Sequence, residues 1–289
     1  MAGTSTFDRR RINGPETIQP TFALPTTFKK QRSASERQGV HSLFIQTGLV
    51  AQASGSAYFE SNSVKAACSV FGPRQQSQQN RSQSSATGGS SAGAGSAARS
   101  YTNEAELTVD CRFASFATHT RKRAGKDTES STLASTVRLA LLPSIRLDKL
   151  PKATIDVFIT ILQADAGRGQ GSTDDEACAA AAATVASCAL ANAGIELYGL
   201  VVGVHGVWGH ADGIIVDATH AEAARAKASL TLWSMPALGA VTSLDQTGHM
   251  SLEEMEKLLT LLQTASATIH LKAAKAIQDG FKQRHLGES

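Results

Sequence analysis

Apolar and polar positions alternate with a period of two in several short stretches. HSLFIQTGLV (41–50), GSAYFES (55–61) and VKAACSVFG (64–72) predict three consecutive strands of an antiparallel sheet. FGPR (71–74) predicts the end of the third, because a Gly-Pro pair interrupts a hydrogen-bond ladder. AELTVDCRF (105–113) resumes the sheet, and ATIDVFITILQ (153–163) predicts a long alternating strand. Between them the spacing changes. Leu133, Val137 and Leu141 make one apolar helical stripe, halted near Pro143. Asp174 to Ala193 predicts a helix so rich in alanine that another element must approach it closely. YGLVVGVHGVW (198–208), GIIVDA (213–218), ASLTLWSM (228–235) and AVTSLDQ (240–246) predict four more strands. A last helix opens at SLEE (251–254), with Ser251 as N-cap and Glu254 completing a capping box. Its apolar stripe is Leu252, Met255, Leu259, Leu262, Ile269 and Ala273, with Leu258 beside Leu262 in the core. This order of elements predicts an α+β fold of mixed β-sheets packed with α-helices.

The pattern fails in three places. Residues 1–37 are polar and basic, punctuated by Pro15, Pro20 and Pro25, and form an extended arm without a core of its own. Residues 75–100 are a low-complexity Gln/Ser/Gly insertion between strands. It holds a formal G-x-S-x-G at Gly89–Gly93, but a nucleophile elbow needs a strand before it and a helix after it, and neither is predicted. Residues 281–289 read as a C-terminal tail, which leaves one folded domain over 38–280.

Composition narrows the class. The 289 residues are 42% hydrophobic with a formal net charge of +3, so contact with nucleic acid is expected to be local. Cys68, Cys111, Cys178 and Cys188 form no C-x-x-C pair and read as buried reduced thiols rather than disulfides or zinc ligands. The N-terminal stretch has charge but no apolar signal-peptide core. Ala177–Ile195 carries no charge and is long enough to span a bilayer, yet its alanines, Ser187, Asn192 and preceding acids predict a tightly packed soluble helix. No H-E-x-x-H, P-loop or strand-linked G-x-G-x-x-G occurs, and no cofactor is expected. His205, His210 and His220 lack metal-cluster spacing and read as strand and loop residues; Trp208 and Trp233 read as core or interface.

Three longer segments carry a resemblance. GLVAQASGSAYFESNSVKAACSVFGPR resembles the opening strands of RNase PH-like proteins. STLASTVRLALLPSIRLDKLPKATIDVFITILQADAG resembles their first helix, Pro-marked turn and long strand, and ALANAGIELYGLVVGV their next helix end and strand. The resemblance covers about residues 38–280 and implies the RNase PH-like fold, of the ribosomal protein S5 domain 2-like type. The arm, FDRRRINGPETIQP, is similar to that of the mRNA-transport type of ring subunit in the eukaryotic RNA exosome. That implies a six-member ring of RNase PH-like subunits threaded by RNA and capped by S1- and KH-domain proteins. It also implies side-by-side pairing with the ribosomal-RNA-processing forty-two type of subunit, and residence in nucleus, nucleolus and cytoplasm.

The chemistry does not follow the family. Phosphorolysis needs arginines to hold two polyanions together and acids for the leaving oxygen or a metal. The resemblance places the two acids at Ala223 and Ser229, and neither side chain titrates as an acid or serves as a carboxylate ligand. Glu222, the acid within that segment, reads as a structural surface residue with Arg225 and Lys227 as neighbours. The family's phosphate loop corresponds to ADAGRGQGSTDDEACA (164–179). Arg168 reads there as a solvated loop residue, and Asp174, Asp175 and Glu176 occupy the helix start where an anion would bind. A second family arginine aligns near Thr128 and Glu129. The expectation is therefore a non-catalytic ring subunit that supports assembly and RNA threading for 3′–5′ RNA processing. The alternative is an active phosphate-dependent 3′–5′ exoribonuclease.

Candidate RNA-backbone contacts are Arg74, Arg81 and Arg99 around the insertion and Arg121, Lys122, Arg123 and Lys126 in HTRKRAGK, the alternative for each cluster being a solvated charge run. No aromatic residue interleaves with these charges, so base stacking is not expected. Arg9, Arg10 and Arg11 suit docking of the arm on an acidic neighbour, and the family resemblance implies that sheet edges pair with adjacent subunits.

Overall fold

A computed structural model describes residues 37–61, 64–75, 104–118, 121–122, 125, 128–164, 175–209 and 213–286. The alternating stretches form strands β1 (Leu43–Thr47), β2 (Gly55–Ser61), β3 (Val64–Gln75) and β4 (Glu106–Phe113). Helix α1 (Ser131–Leu141) follows, then strand β5 (Ala153–Gln163) and helix α2 (Asp175–Asn192). Strands β6 (Val202–Gly209) and β7 (Ile214–Val216), the single turn α3 (His220–Ala223), strands β8 (Ala226–Met235) and β9 (Ala240–Gly248), and helix α4 (Leu252–Leu286) complete the chain.

Two sheets result. The first has the order β1-β2-β3-β5-β4 and the second β7-β6-β8-β9. All neighbours are antiparallel except β4 and β5, which run parallel because α1 carries the chain across between them. The first sheet is therefore mixed and the second antiparallel, both packed with helices, in the α+β class that the order of elements predicts.

α2 fills the space between the sheets, packing on β2 and β3 of one and on β6 and β8 of the other. Every residue from Cys178 to Leu190 is buried. Alanine is what makes this possible, since glycines of both sheets lie against its backbone. A Cβ on Gly203 of β6 would stand 2.5 Å from the Ala180 carbonyl oxygen, and one on Gly55 of β2 would stand 2.4 Å from the Ala193 nitrogen. Two hydroxyls on α2 serve the incoming strand. Ser187 Oγ accepts from the Val201 N–H at 2.8 Å, and Thr184 Oγ1 accepts from the Gly203 N–H at 3.0 Å. They satisfy buried donors that no ladder reaches.

α4 covers the opposite face of the second sheet, where Leu258 and Leu262 pack with Val202, Val204, Leu230 and Leu232. Its capping box is present: the Ser251 N–H donates to Glu254 Oε2 at 2.9 Å and the Glu254 N–H to Ser251 Oγ at 3.3 Å. Ser251→Ala is expected to cost about 1 kcal/mol, read as a lowered midpoint of urea unfolding with an unchanged slope.

Four expectations change. β3 does not end at Gly72-Pro73; pairing shifts register between Phe71 and Arg74 and resumes as Arg74 with Thr154. Pro73 sits in this bulge, where no N–H is needed. β6 starts at Val202 rather than Tyr198. Leu252 is exposed instead of joining the apolar stripe, because the helical rotation turns it away from the face that carries Leu258, Leu262 and Ile269. α4 continues to Leu286, so residues 281–286 are helical and not tail. The four cysteines are buried and in no disulfide, and among the described residues no helix is long and apolar enough to cross a membrane. Burial pushes the Cys188 thiol up to about 12.

Candidate functional site

The segment after β7 sets the geometry of the site. Strand alternation turns Gly203, His205 and Val207 of β6 toward one face of the second sheet, with Ser229, Thr231 and Trp233 of β8 beside them. Val207, Ile215 and Ala218 form a small buried cluster, and Ala223 packs against it from the end of α3. Ser229 is the register partner of the same Val207. The fold thus brings the two positions where the family's acids are expected beside one small buried cluster, and both are uncharged.

The same face carries His205. It is buried, its Nδ1 lies 3.1 Å from Thr231 Oγ1, and the Glu176 carboxylate at the start of α2 comes within 3.6 Å of that nitrogen. His205 Nε2 is buried with no hydrogen-bond partner among the described residues. The start of α2 therefore meets this face with the Glu176 carboxylate, beside the buried His205 of β6. Among the described residues no group of His, Cys, Asp or Glu is placed to hold a metal ion. Arg168 and Asp174 lie outside the described residues.

Asp217 closes β7 in a left-handed backbone conformation, φ 53°. Three donors converge on its Oδ2: His41 Nδ1–H at 2.9 Å, the Ser61 hydroxyl at 3.1 Å and the His41 backbone N–H at 3.3 Å. Burial pushes the Asp217 carboxyl upward, but hydrogen bonding and Coulombic attraction from His41, aided by Ser61, outweigh it, and the net displacement is downward. A cavity of about 30 Å³ beside it is lined by Ser61, His205, Ala177 and Val40 among others. It has room for about one water molecule.

Glu222 is structural, as expected, with Arg225 bonded to its carbonyl, but Lys227 is not its partner. Its Oε2 accepts from the Thr219 N–H and Oγ1–H, both at 2.9 Å, which caps α3. Lys227 pairs instead with Glu254 at 3.1 Å. At the other expected arginine position, Thr128 is buried and donates to the Gly125 carbonyl at 2.7 Å, while Glu129 pairs with Arg112 at 3.3 Å.

The basic candidates separate into two places. Arg74 is exposed, stacked 4.9 Å over the Phe71 ring, and pairs with Thr154 at the start of β5. Arg121 is exposed and Lys122 lies 4.1 Å over the Phe113 ring, beside the segment that Ile161 pairs with at the far end of β5. Roughly 23 Å of strand rise separates these ends. Arg121 and Lys122 share the α2 end of the sheet with the Ala223–Ser229 face, and Arg74 does not. Arg9, Arg10, Arg11, Arg81, Arg99, Arg123 and Lys126 lie outside the described residues.

Sequence reasoning missed His41, Ser61, Thr219 and Thr231. A signal existed for Ser61, a hydroxyl at an inward position of the β2 alternation, and for Thr219, three residues before Glu222. The His41 contact spans 176 positions and leaves no local trace.

This architecture and this face define a class of protein. Residues 39–196 match the 3′ exoribonuclease family, domain 1 (RNase PH), and the chain belongs to that family. Its relatives include Exosome complex component MTR3 of Homo sapiens, 34% identical with 86% of this chain and 85% of the relative covered. Exosome complex component mtr3 of Schizosaccharomyces pombe is 28% identical, covering 84% and 85%. Among solved structures, rice (Oryza sativa) Rrp46 shares the fold at a TM-score of 0.63, with 18% identity and coverage of 83% and 97%. The Archaeoglobus fulgidus exosome with RNA bound to the active site follows at a TM-score of 0.61, with 16% identity and coverage of 81% and 89%.

Proposed function

We propose that this chain is a non-catalytic structural subunit of the RNA exosome core ring, of the MTR3 type, supporting assembly and the threading of RNA for 3′–5′ processing and degradation. The observation that carries the non-catalytic reading is the buried cluster of Val207, Ile215 and Ala218, with Ala223 packed against it and Ser229 in register with Val207, and Glu176 facing His205 on the same sheet face. Phosphorolysis on this face would lack its acids, and a second carboxylate would repel the attacking phosphate. The curated MTR3 relatives align along most of the chain, which supports the ring assignment. Its partners in this reading are other RNase PH-like subunits, the forty-two type side by side, with S1/KH-domain proteins as the cap. Arg74 and Arg121 touch RNA phosphates at two separated points, without base readout. The compartments are those of the exosome: nucleus, nucleolus and cytoplasm.

The test has two parts. Purified protein incubated with RNA, inorganic phosphate and Mg²⁺ releases no nucleoside diphosphate, and the double variant Ala223→Asp, Ser229→Asp stays inactive because the arginine half of the site is not restored. Affinity purification of the tagged chain recovers the other ring subunits. Phosphate-dependent release of nucleoside diphosphates by the wild type would overturn the non-catalytic reading. Recovery of the chain without RNase PH-like partners would overturn the ring reading.

A further inference from the structure

The polar groups on the inner face of β6 do not close among themselves. His205 is 3% exposed, and its two ring nitrogens are treated differently. Nδ1 meets Thr231 Oγ1 at 3.1 Å and the Glu176 carboxylate at 3.6 Å. Nε2, on the other side of the ring, has no hydrogen-bond partner among the described residues. An ionised carboxylate only accepts, so Glu176 places the ring proton on Nδ1, and Nε2 presents a lone pair. A buried acceptor has lost its hydrogen bonds to solvent, and native proteins rarely leave one unmatched.

The cavity beside Asp217 supplies the match. Its polar side chains are His205, Ser61 and Asp217; Val40, Leu43 and Ile269 belong to its apolar wall. Asp217 lies next to His205 because its N–H donates to the His205 carbonyl at 2.8 Å. The Ser61 hydroxyl spends its proton on Asp217 Oδ2 at 3.1 Å and keeps lone pairs of its own. The cavity therefore presents acceptors on both sides, Nε2 on one and the Ser61–Asp217 pair on the other. Its occupant must donate twice and be small enough for about 30 Å³. An anion is repelled by Asp217, and among the described residues no group of His, Cys, Asp or Glu is placed to hold a metal ion. Water meets both demands, with polar partners in the number a buried water needs.

We propose that this cavity is a binding site for a single water molecule, which donates one proton to His205 Nε2 and the other to the Ser61–Asp217 pair. The water completes a chain from Glu176 at the start of α2, through His205 and Asp217, to His41 at the entry to β1. His205 is then a positioning residue that ties the segment before β1 to the second sheet. This site stands independently of the ring-subunit reading.

The test uses the full-length wild-type chain, labelled for NMR. Cross-relaxation is expected between a long-lived water and the methyl groups of Val40 and Ile269, which line the cavity. The His205 ring nitrogens are expected to show a protonated Nδ1 and an unprotonated, hydrogen-bonded Nε2. Two variants then separate the chain from general loosening of this face. His205→Phe removes the water's partner, and Thr231→Val removes a polar group on the Nδ1 side. Amide exchange at His41, measured relative to β3, is expected to rise about tenfold in His205→Phe and to stay unchanged in Thr231→Val. A dry cavity, an ion in place of water, or a proton on Nε2 overturns the proposal, and these readouts need no variant to fold. Equal effects of the two variants at His41 overturn the coupling as well.

Discussion

Gly203→Ala destabilises the protein by about 3 kcal/mol, and Gly203→Val leaves little or no soluble folded protein. The reason is the identity of the atoms a side chain meets. A Cβ at Gly203 would stand 2.5 Å from the Ala180 carbonyl oxygen, 2.6 Å from its Cα and 2.9 Å from its carbonyl carbon. These are backbone atoms in the middle of a helix buried on all sides, so no rotamer change relieves the contact. α2 would have to move away from β6, and the same helix is held at its other end by Gly55 against Ala189 and Ala193. Such a shift breaks the bonds from the Val201 and Gly203 N–H groups to Ser187 and Thr184, leaving buried donors unpaired. Two comparisons make the argument specific. Ala180→Gly does not rescue Gly203→Ala, because the clash is not with the Ala180 side chain. Gly239→Ala, at φ 64° with open space around it, costs only the backbone strain of about 1 kcal/mol. Urea unfolding of the wild type and the four variants, with soluble yield as the second measure, decides the matter. A Gly203→Ala variant as stable as Gly239→Ala would show that α2 is not seated as described.

That close packing was legible before any coordinates. A helix of alanines in a chain otherwise supplied with leucine and valine makes sense only where something presses against it, and the glycines of YGLVVGVHGVW were already visible. Alternation located the strands because each sheet has a clear inner face, and the capping box placed the start of α4 from four residues. Boundaries failed where local rules compete with tertiary pairing. Pro73 stops a ladder only when its N–H is needed, and the bulge at Gly72 removes that need. Leu252 fits the edge of a helical stripe by spacing, but the buried face is narrower and centred on Leu258, Leu262 and Ile269. At the site, the alanine and serine at 223 and 229 could be read as missing acids from a family resemblance alone. Their placement beside one buried cluster could not, since it depends on the register of β6 with β8 and on where α3 ends. The contacts of Asp217 were the least legible, because its partners come from residues 41 and 61 and only the folded chain brings them together.

Asp217→Ala is expected to cost about 3–4 kcal/mol, with Gly and Asn substitutions less damaging in that order. Alanine removes the acceptor for three donors and also forces an L side chain without a local hydrogen bond into φ 53°. Glycine removes the acceptor but relaxes the backbone. Asparagine tolerates the left-handed conformation and keeps one acceptor oxygen, so it loses mainly the charge. The carboxylate joins the end of β7 to β2 and to the segment entering β1, where Val40 and Leu43 pack against the α4 core. Its loss should therefore speed amide exchange at His41 and Leu43 before it affects β3 or β5. The pH dependence has a definite sign. The folded-state pKa of Asp217 lies below its unfolded value near 3.9, so its contribution is fully present above that value and disappears as pH falls through the folded pKa. Wild type and Asp217→Asn, compared by urea unfolding between pH 7 and pH 3, should differ by a constant amount down to about pH 4 and converge below it. A difference that persists unchanged to pH 3 would mean that the ionised carboxylate is not what ties His41 and Ser61 to the end of β7.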